Sequence, residues 1–545
     1  MRLQIILFAL LLGAASVASA ADCTPEGVTN IHVTRAGVGA LATYQFGAPI
    51  SCLELSDRGD VRKLTWQMQT VGAVLSEDGS RVSFAQPRTN FAVRLQAFSH
   101  DGAIDRVYSP VIGFGDNSAV AVYTSYLYPK MTHNGVVISF NGFLPTLPQS
   151  PVGRQRFGIE QTYIIVGQPA VTSRGNVAAV IDQAMPAGLL RRVNEVITKG
   201  ETALLGVTSA PRALTYLITY TEVDTPYANW RGDTLDNLVR LNFMGAPWQT
   251  SAVEHQDAID HFILHEMFHT ASSPKLNPGL PAAMSLSEGG AEVGAIGLRQ
   301  RIDPTAGVSL SADIDNALAR CNESTGATLI EKEQKSQRNA PYACGMALQF
   351  MVSAAVQSDP LAIWHAMLVN ARPVSAGWPD FIGAAATSGR PDQKRLAVLE
   401  AMVASRMYWT DGIAQLTSAG MLRLRTQAEL AQPAYGARYR TAAIVHLLKQ
   451  TCRQRYGFNT ESGVYILDAP SGSSCAAPDK FRLVAMNGID LTRDSYRAYH
   501  ELARRCGAGL PIILGDDTGH TTELACKTLP SEIALVTLSP LSITK

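Results

Sequence analysis

The alternation of apolar and polar positions changes character twice along the chain. From about Gly27 to Phe143 it has period two, as in Val93, Leu95 and Ala97 against Arg94 and Gln96, with turn residues between runs. That spacing predicts strands with one buried face, and a β-sandwich-like domain. Residues 145–153, rich in proline and small side chains, read as a linker. Beyond them, short apolar runs at 163–166, 177–181 and 214–221 alternate with a helical stretch over 187–205. From Ser251 to about Ser405 nearly every segment has helical spacing, so an α/β layer should be followed by a helical subdomain. Past Pro433, strands return at 463–467, 481–486, 511–514 and 523–527, around a helix over 492–505. The fold class expected is multidomain α+β, divided at 21–153, 154–432 and 433–545.

Composition narrows the setting. Lys plus Arg and Asp plus Glu are 46 each among 545 residues, so no bulk field draws nucleic acid or an anionic membrane. Arg2, an apolar run from Ile5 to Ala15 and the small-x-small end Ala18-Ser19-Ala20 read as a signal peptide over 1–20, which predicts export to a periplasm or the exterior. Asp22 before Cys23 argues against lipoprotein processing, and no later stretch has the length and apolarity of a membrane span. The eight cysteines fall into near neighbours, Cys23 with Cys52, Cys321 with Cys344, Cys452 with Cys475, and Cys506 with Cys526. In an oxidising compartment, and without any Cys-x-x-Cys, they read as disulfides.

The chemistry concentrates in one place. Ser251 and Glu254 have the spacing of a capping box, predicting a helix from near Ala252 through Ile259, Phe262, Ile263, Met267 and Phe268. His265 and His269 then lie one turn apart, both imidazoles on one face, with Glu266 beside them. A third ligand is expected from Glu288, which follows His269 after eighteen residues on a second helix, 285–299. Two imidazoles and a carboxylate leave one position of a tetrahedral zinc open to water. Glu292, one turn beyond Glu288, is placed to accept the second ring N–H of a liganding histidine. His261 reads as a packing or supporting residue, because three ligands on one straight helix cannot surround a metal, and His255 as a surface residue. No Gly-x-Ser-x-Gly elbow and no Gly-rich phosphate loop before a helix occur, so serine-hydrolase and nucleotide chemistry have no support.

His265-Glu266-Met267-Phe268-His269 with Leu286-Ser287-Glu288-Gly289-Gly290-Ala291-Glu292 resembles the gluzincin pattern, at the spacing of the aminopeptidase N and glycyl aminopeptidase families. Gly290 stands where those families often carry an aromatic residue. Residues 340–348 resemble their Pro-Tyr-x-x-Gly-x-x-Leu segment, which implies Tyr342 as transition-state stabiliser. The order of parts is similar to the glycyl aminopeptidases, which implies a thermolysin-like catalytic domain and a PDZ-like C-terminal domain. There, residues 479–488 resemble a PDZ segment and Tyr456-Gly457-Phe458 would be a carboxylate loop. By the same analogy, residues 238–244 would be the edge strand that pairs with substrate. No Gly-x-Met-Glu-Asn amine-reading segment occurs upstream.

The function expected is an exported zinc peptidase acting on peptides or proteins, with His265, His269 and Glu288 holding Zn2+, Glu266 as general base and Tyr342 at the oxyanion. A peptide-binding or scaffolding protein with a silent zinc site is the rival from another class. A zinc hydrolase of a non-peptide substrate is the third reading.

Overall fold

In this computed structural model the described residues run from 23 to 539, apart from 26, 57–58, 98–108, 131–134, 145–154, 158–161, 209–212, 223–227, 236, 252–254, 305–309, 337–338, 453–456, 462–463, 469–475, 477–479 and 531–534. The segment read as a signal peptide, the whole of the linker reading, Glu254, Tyr456, Cys475 and Asp479 lie outside them. Among the described residues no helix is long and apolar enough to cross a membrane. The chain divides into two compact units, Met1–Ala184 with Thr215–Thr221, and Met185–Leu214 with Glu222–Lys545.

In the first unit the period-two runs form two sheets. One is ordered Gln155–Phe157, Val136–Phe140, Thr29–Ala36, Gly39–Glu54, Arg81–Leu95, Trp66–Met68, with Ala73–Leu75 also on Arg81–Leu95. The other is Val111–Gly113, Ala119–Tyr123, Tyr163–Gly167, Gly142–Phe143. Ile31, Val33, Tyr44 and Phe91 from the first sheet share one core with Val120, Val122, Ile164 and Val166 from the second. Sandwich character follows from that shared core. Tyr44 stacks on Phe91 at 4.4 Å between ring centroids. Arg62, fully buried, is satisfied by the carbonyls of Tyr126 and Ser56 at 3.1 and 2.6 Å.

The unit boundary departs from the one expected at residue 153. Tyr163–Gly167 pairs antiparallel with Ala119–Tyr123, so it belongs with the first unit. A continuously apolar run carries no mark of which sheet it joins, because pairing is a long-range choice.

The second unit is built on helices. We label α1 (Ala187–Thr208), α2 (Gln256–Ser272), α3 (Ala283–Ile302), α4 (Leu310–Glu323), α5 (Ala340–Val356) and α6 (Pro360–Asn370). Helix α2 is buried from Ile263 to Ser272, and such burial on every side marks a central helix. It begins later than the capping box implied: Trp248–Ser251 forms its own turn and His255 is the N-cap. His255 is also not a surface residue. Its ring packs on Trp248 and Trp230 at 5.6 and 6.2 Å, an aromatic cluster that the polar neighbours in sequence concealed.

The hairpin of Asn229–Leu235 and Leu238–Met244 corrects the edge-strand expectation. Leu238–Met244 is buried at every position, whereas Asn229–Leu235 ends its sheet and is half-exposed throughout. Arg240 disguised this, being polar in sequence but buried against Asp233 across the hairpin.

After α6, helices continue to Ser418, and the C-terminal sheet runs Gly457–Glu461, Val464–Asp468, Arg482–Met486, Ile512–Asp516, Thr521–Leu524. Gly457 and Phe458 therefore sit in a hairpin strand, not in a loop. This sheet packs with Gly436–Thr451 and Ser495–Gly507 around a core that also takes Ala312 of α4. Asp315 of α4 accepts from Arg425 at 2.8 Å and from Tyr435 at 2.7 Å. Those long-range contacts explain why no unit boundary falls at residue 433.

Cys23–Cys52, Cys321–Cys344 and Cys506–Cys526 are bonded. Cys452 is also disulfide-bonded.

Candidate metal centre

On α2, the one-turn spacing puts the Nε2 atoms of His265 and His269 3.2 Å apart. Helix α3 brings Glu288 Oε2 to 3.5 Å from the first and 3.4 Å from the second. The three donors thus form a nearly equilateral triangle. A tetrahedral ion bound at about 2.0–2.1 Å sets its donors about 3.3–3.4 Å apart, so the set fits zinc in spacing as well as in chemistry.

Behind the triangle lies a chain of support. His265 Nδ1 is 3.2 Å from Glu292 Oε1, and the other oxygen of Glu292 accepts from His261 Nε2 at 2.9 Å. Glu292 therefore orients His265 and is itself held by His261. For His269 the neighbours of Nδ1 are the hydroxyls of Ser273 and Ser287, both at 3.5 Å.

Glu266 is only 9% exposed, and burial raises its carboxyl pKa against the opposing pull of His265 and His269. Its backbone carbonyl accepts from Thr234 Oγ1 at 2.8 Å, and the same hydroxyl is 3.3 Å from its carboxylate. Glu288 is half-buried, and the two imidazoles hold its carboxyl well below the usual range. The Tyr342 ring stacks over His265 at 5.8 Å. Burial, then the charges of Glu288 and Glu266, push its phenol up, so the hydroxyl stays protonated and able to donate.

Tyr342 reaches this position because two helices touch through glycine. A Cβ on Gly289 would stand 2.2 Å from the Gly345 carbonyl carbon, and one on Gly345 would stand 1.8 Å from the Ser285 oxygen. Only glycine allows that approach of α3 and α5. Pro341 fits the first turn of α5, where no intrahelical N–H is required.

Gly290, unexpected by the resemblance, has a spatial reason. A Cβ there would meet Trp364 of α6 at 2.3 Å. The aromatic bulk comes from another helix. Trp364 Nε1 donates to Gln349 Oε1 at 2.8 Å, and Gln349 Nε2 donates to the Leu286 carbonyl at 3.1 Å, bracing α3.

Thr234, Trp364 and Gln349 were missed by sequence reasoning. The doubled Gly289-Gly290 was the one local signal of a close neighbour.

No known protein family and no curated protein matches the chain. Among solved structures it is similar to native leukotriene A4 hydrolase from Saccharomyces cerevisiae, at 13% identity and TM-score 0.37, over 64% of this chain and 62% of that one. Legionella pneumophila aminopeptidase A, solved in complex with aspartic acid, is similar at 10% identity and TM-score 0.39, over 93% of this chain and 57% of that one. Yeast leukotriene A4 hydrolase in complex with bestatin is similar at 12% identity and TM-score 0.38, over 77% and 72%. The chain thus spans less than two thirds of the length of the first two. Likenesses this distant decide nothing about its activity.

Proposed function

We propose that this chain is an exported zinc metallopeptidase, its metal held by His265, His269 and Glu288. The observation that carries the reading is the donor triangle of 3.2, 3.4 and 3.5 Å with the buried Glu266 beside it. Zinc bound there would supply a Lewis-acidic charge, polarising a carbonyl and acidifying a water. Glu266 takes the proton of the attacking water and passes it to the leaving nitrogen; its raised affinity for a proton suits both transfers. Tyr342 donates its hydroxyl hydrogen to the substrate oxygen as that oxygen gains charge. Glu292 fixes the ring of His265, and His261 fixes Glu292.

An extended peptide would run along the outer edge of Asn229–Leu235, past Thr234 and Glu266. Residues 433–545 we read as a PDZ-like domain attached to this catalytic part.

Elemental analysis, run beside cleavage of a mixed peptide library, tests the reading. One zinc per chain should be found, lost together with cleavage in Glu288→Ala, while Glu266→Gln keeps zinc and loses turnover. Zinc without cleavage would favour the binding-protein reading, and normal turnover in Glu266→Gln would refute the mechanism.

A further inference from the structure

We propose that the cavity beside Tyr342 is a specificity pocket that takes a carboxylate-bearing side chain of the substrate, held by Arg320 and Arg438. This rests on the peptidase reading and names a substrate class for it. The cavity, of about 610 Å³, is walled by α2 to α5 and the Gly436–Thr451 helix. Tyr342 and Glu292 are common to its wall and to the surroundings of His265. The disulfide Cys321–Cys344, with 4.7 Å between Cα atoms, follows Arg320 directly and lies two residues after Tyr342. It brings the Arg320 wall alongside the tyrosine.

The wall carries Asp257, Glu292, Asp313 and Glu323 against Arg299, Arg320, Arg438 and His261, but its ion pairs leave guanidinium donors unused. His261 and Glu292 satisfy each other. Arg299 meets Asp257, and Arg438 meets Glu323, but those carboxylates are 84% and 57% exposed while the two arginine side chains are 13% and 14% exposed. Each arginine keeps a buried Nε with no acceptor. A guanidinium withdrawn from water gains little from a counter-ion that stays in water, so each has a donor free for a further, buried acceptor. The Arg320 side chain has no hydrogen-bond or ion-pair partner among the described residues and adds a like charge beside Arg438. Asp313, the remaining acid of the wall, is set against His261, Arg299 and Glu292. A glutamate or aspartate side chain would supply the missing acceptor, with Ile296, Ala317 and Met346 receiving its methylenes.

The test uses peptide pairs that differ only in Glu against Gln, scanned through each position on either side of the cleaved bond. For wild type, kcat/KM should favour Glu at one position by roughly ten- to hundredfold, the range of one charge-assisted hydrogen-bonded pair. Arg438→Gln should erase that ratio. Arg320→Glu, a change at an exposed residue, should shift the preference to Lys. Cleavage without a Glu preference, or a preference that survives both variants, overturns the pocket and leaves the peptidase reading standing. Calorimetric binding of N-acetylglutamate amide gives a readout free of turnover: it should persist in Glu266→Gln and vanish in Arg320→Glu. If no peptide is cleaved yet that binding pattern holds, the peptidase reading falls and the anion pocket stands. Equal binding of the glutamine analogue would remove the pocket in either case.

Discussion

Replacing Gly345 by alanine would put a methyl group into a backbone contact that has no room for it. The new Cβ would lie 1.8 Å from the Ser285 oxygen and 2.9 Å from the Gly289 Cα. Neither atom is the end of a flexible side chain, so α3 and α5 must part by more than about 1 Å to restore ordinary contact. Overpacking of this kind costs about 1–3 kcal/mol. The functional cost has a different origin. Tyr342 sits one turn before Gly345 on α5, whereas His265, Glu266, His269 and Glu288 come from α2 and α3. The proposed metal ligands should therefore keep their spacing while the tyrosine withdraws, and a misplacement near 1 Å is worth about a hundredfold in rate. Thermal denaturation, zinc content and peptide turnover on one preparation separate these effects. The expected result is a Tm lower by a few degrees, one zinc retained, and turnover down about a hundredfold. Tyr342→Phe should match the rate loss with little change in Tm. An unchanged Tm and rate in Gly345→Ala would refute the packing argument, and loss of zinc would refute the division of labour between the helices.

Glu292→Gln should weaken zinc about 10- to 100-fold in competition with a chelator, because it removes the carboxylate that orients His265; unchanged affinity would mean that the ring is held by packing alone. Arg240→Met should cost about 3–5 kcal/mol in denaturant titration by stranding the Asp233 carboxylate, and Arg240→Met with Asp233→Leu should recover most of it. A double variant no more stable than the single one would count against that account. In the first unit, the hydroxyl of Ser76 and the backbone and hydroxyl of Ser80 hold the Asp78 carboxyl down from 3.8 to about 2. A depressed acid stabilises above its unfolded pKa and loses that contribution as pH falls through the folded one. The stability gap between wild type and Asp78→Asn should thus be present at neutral pH and close between about pH 4 and pH 2; a gap independent of pH would exclude the ionised hydrogen bonds as its source.

Local geometry explains what the sequence by itself determined. An α-helix places residues four apart on one face whatever surrounds it, so the neighbourhood of His265, Glu266 and His269 was readable before any fold was known. The same rule put Glu292 on the face of Glu288. Disulfide partners close in sequence were also readable, because short loops bring such cysteines together at small entropic cost. Period-two alternation marked the strands of the first sheets, since each buries one face.

Tertiary structure alone decided the rest. Nothing local says that Gly290 is small because Trp364 fills its space, or that α3 and α5 meet at Gly289 and Gly345. Nothing local says that Tyr163–Gly167 joins Ala119–Tyr123, or that Leu238–Met244 is buried with its arginine while Asn229–Leu235 lies at the edge. The sharing of Glu292 between His265 and His261, and the meeting of Arg320 with Arg438 on one cavity wall, depend on helices whose relative placement no periodicity encodes. Hydrophobic spacing specifies which face of an element is buried, and only the packed chain specifies what that face is buried against.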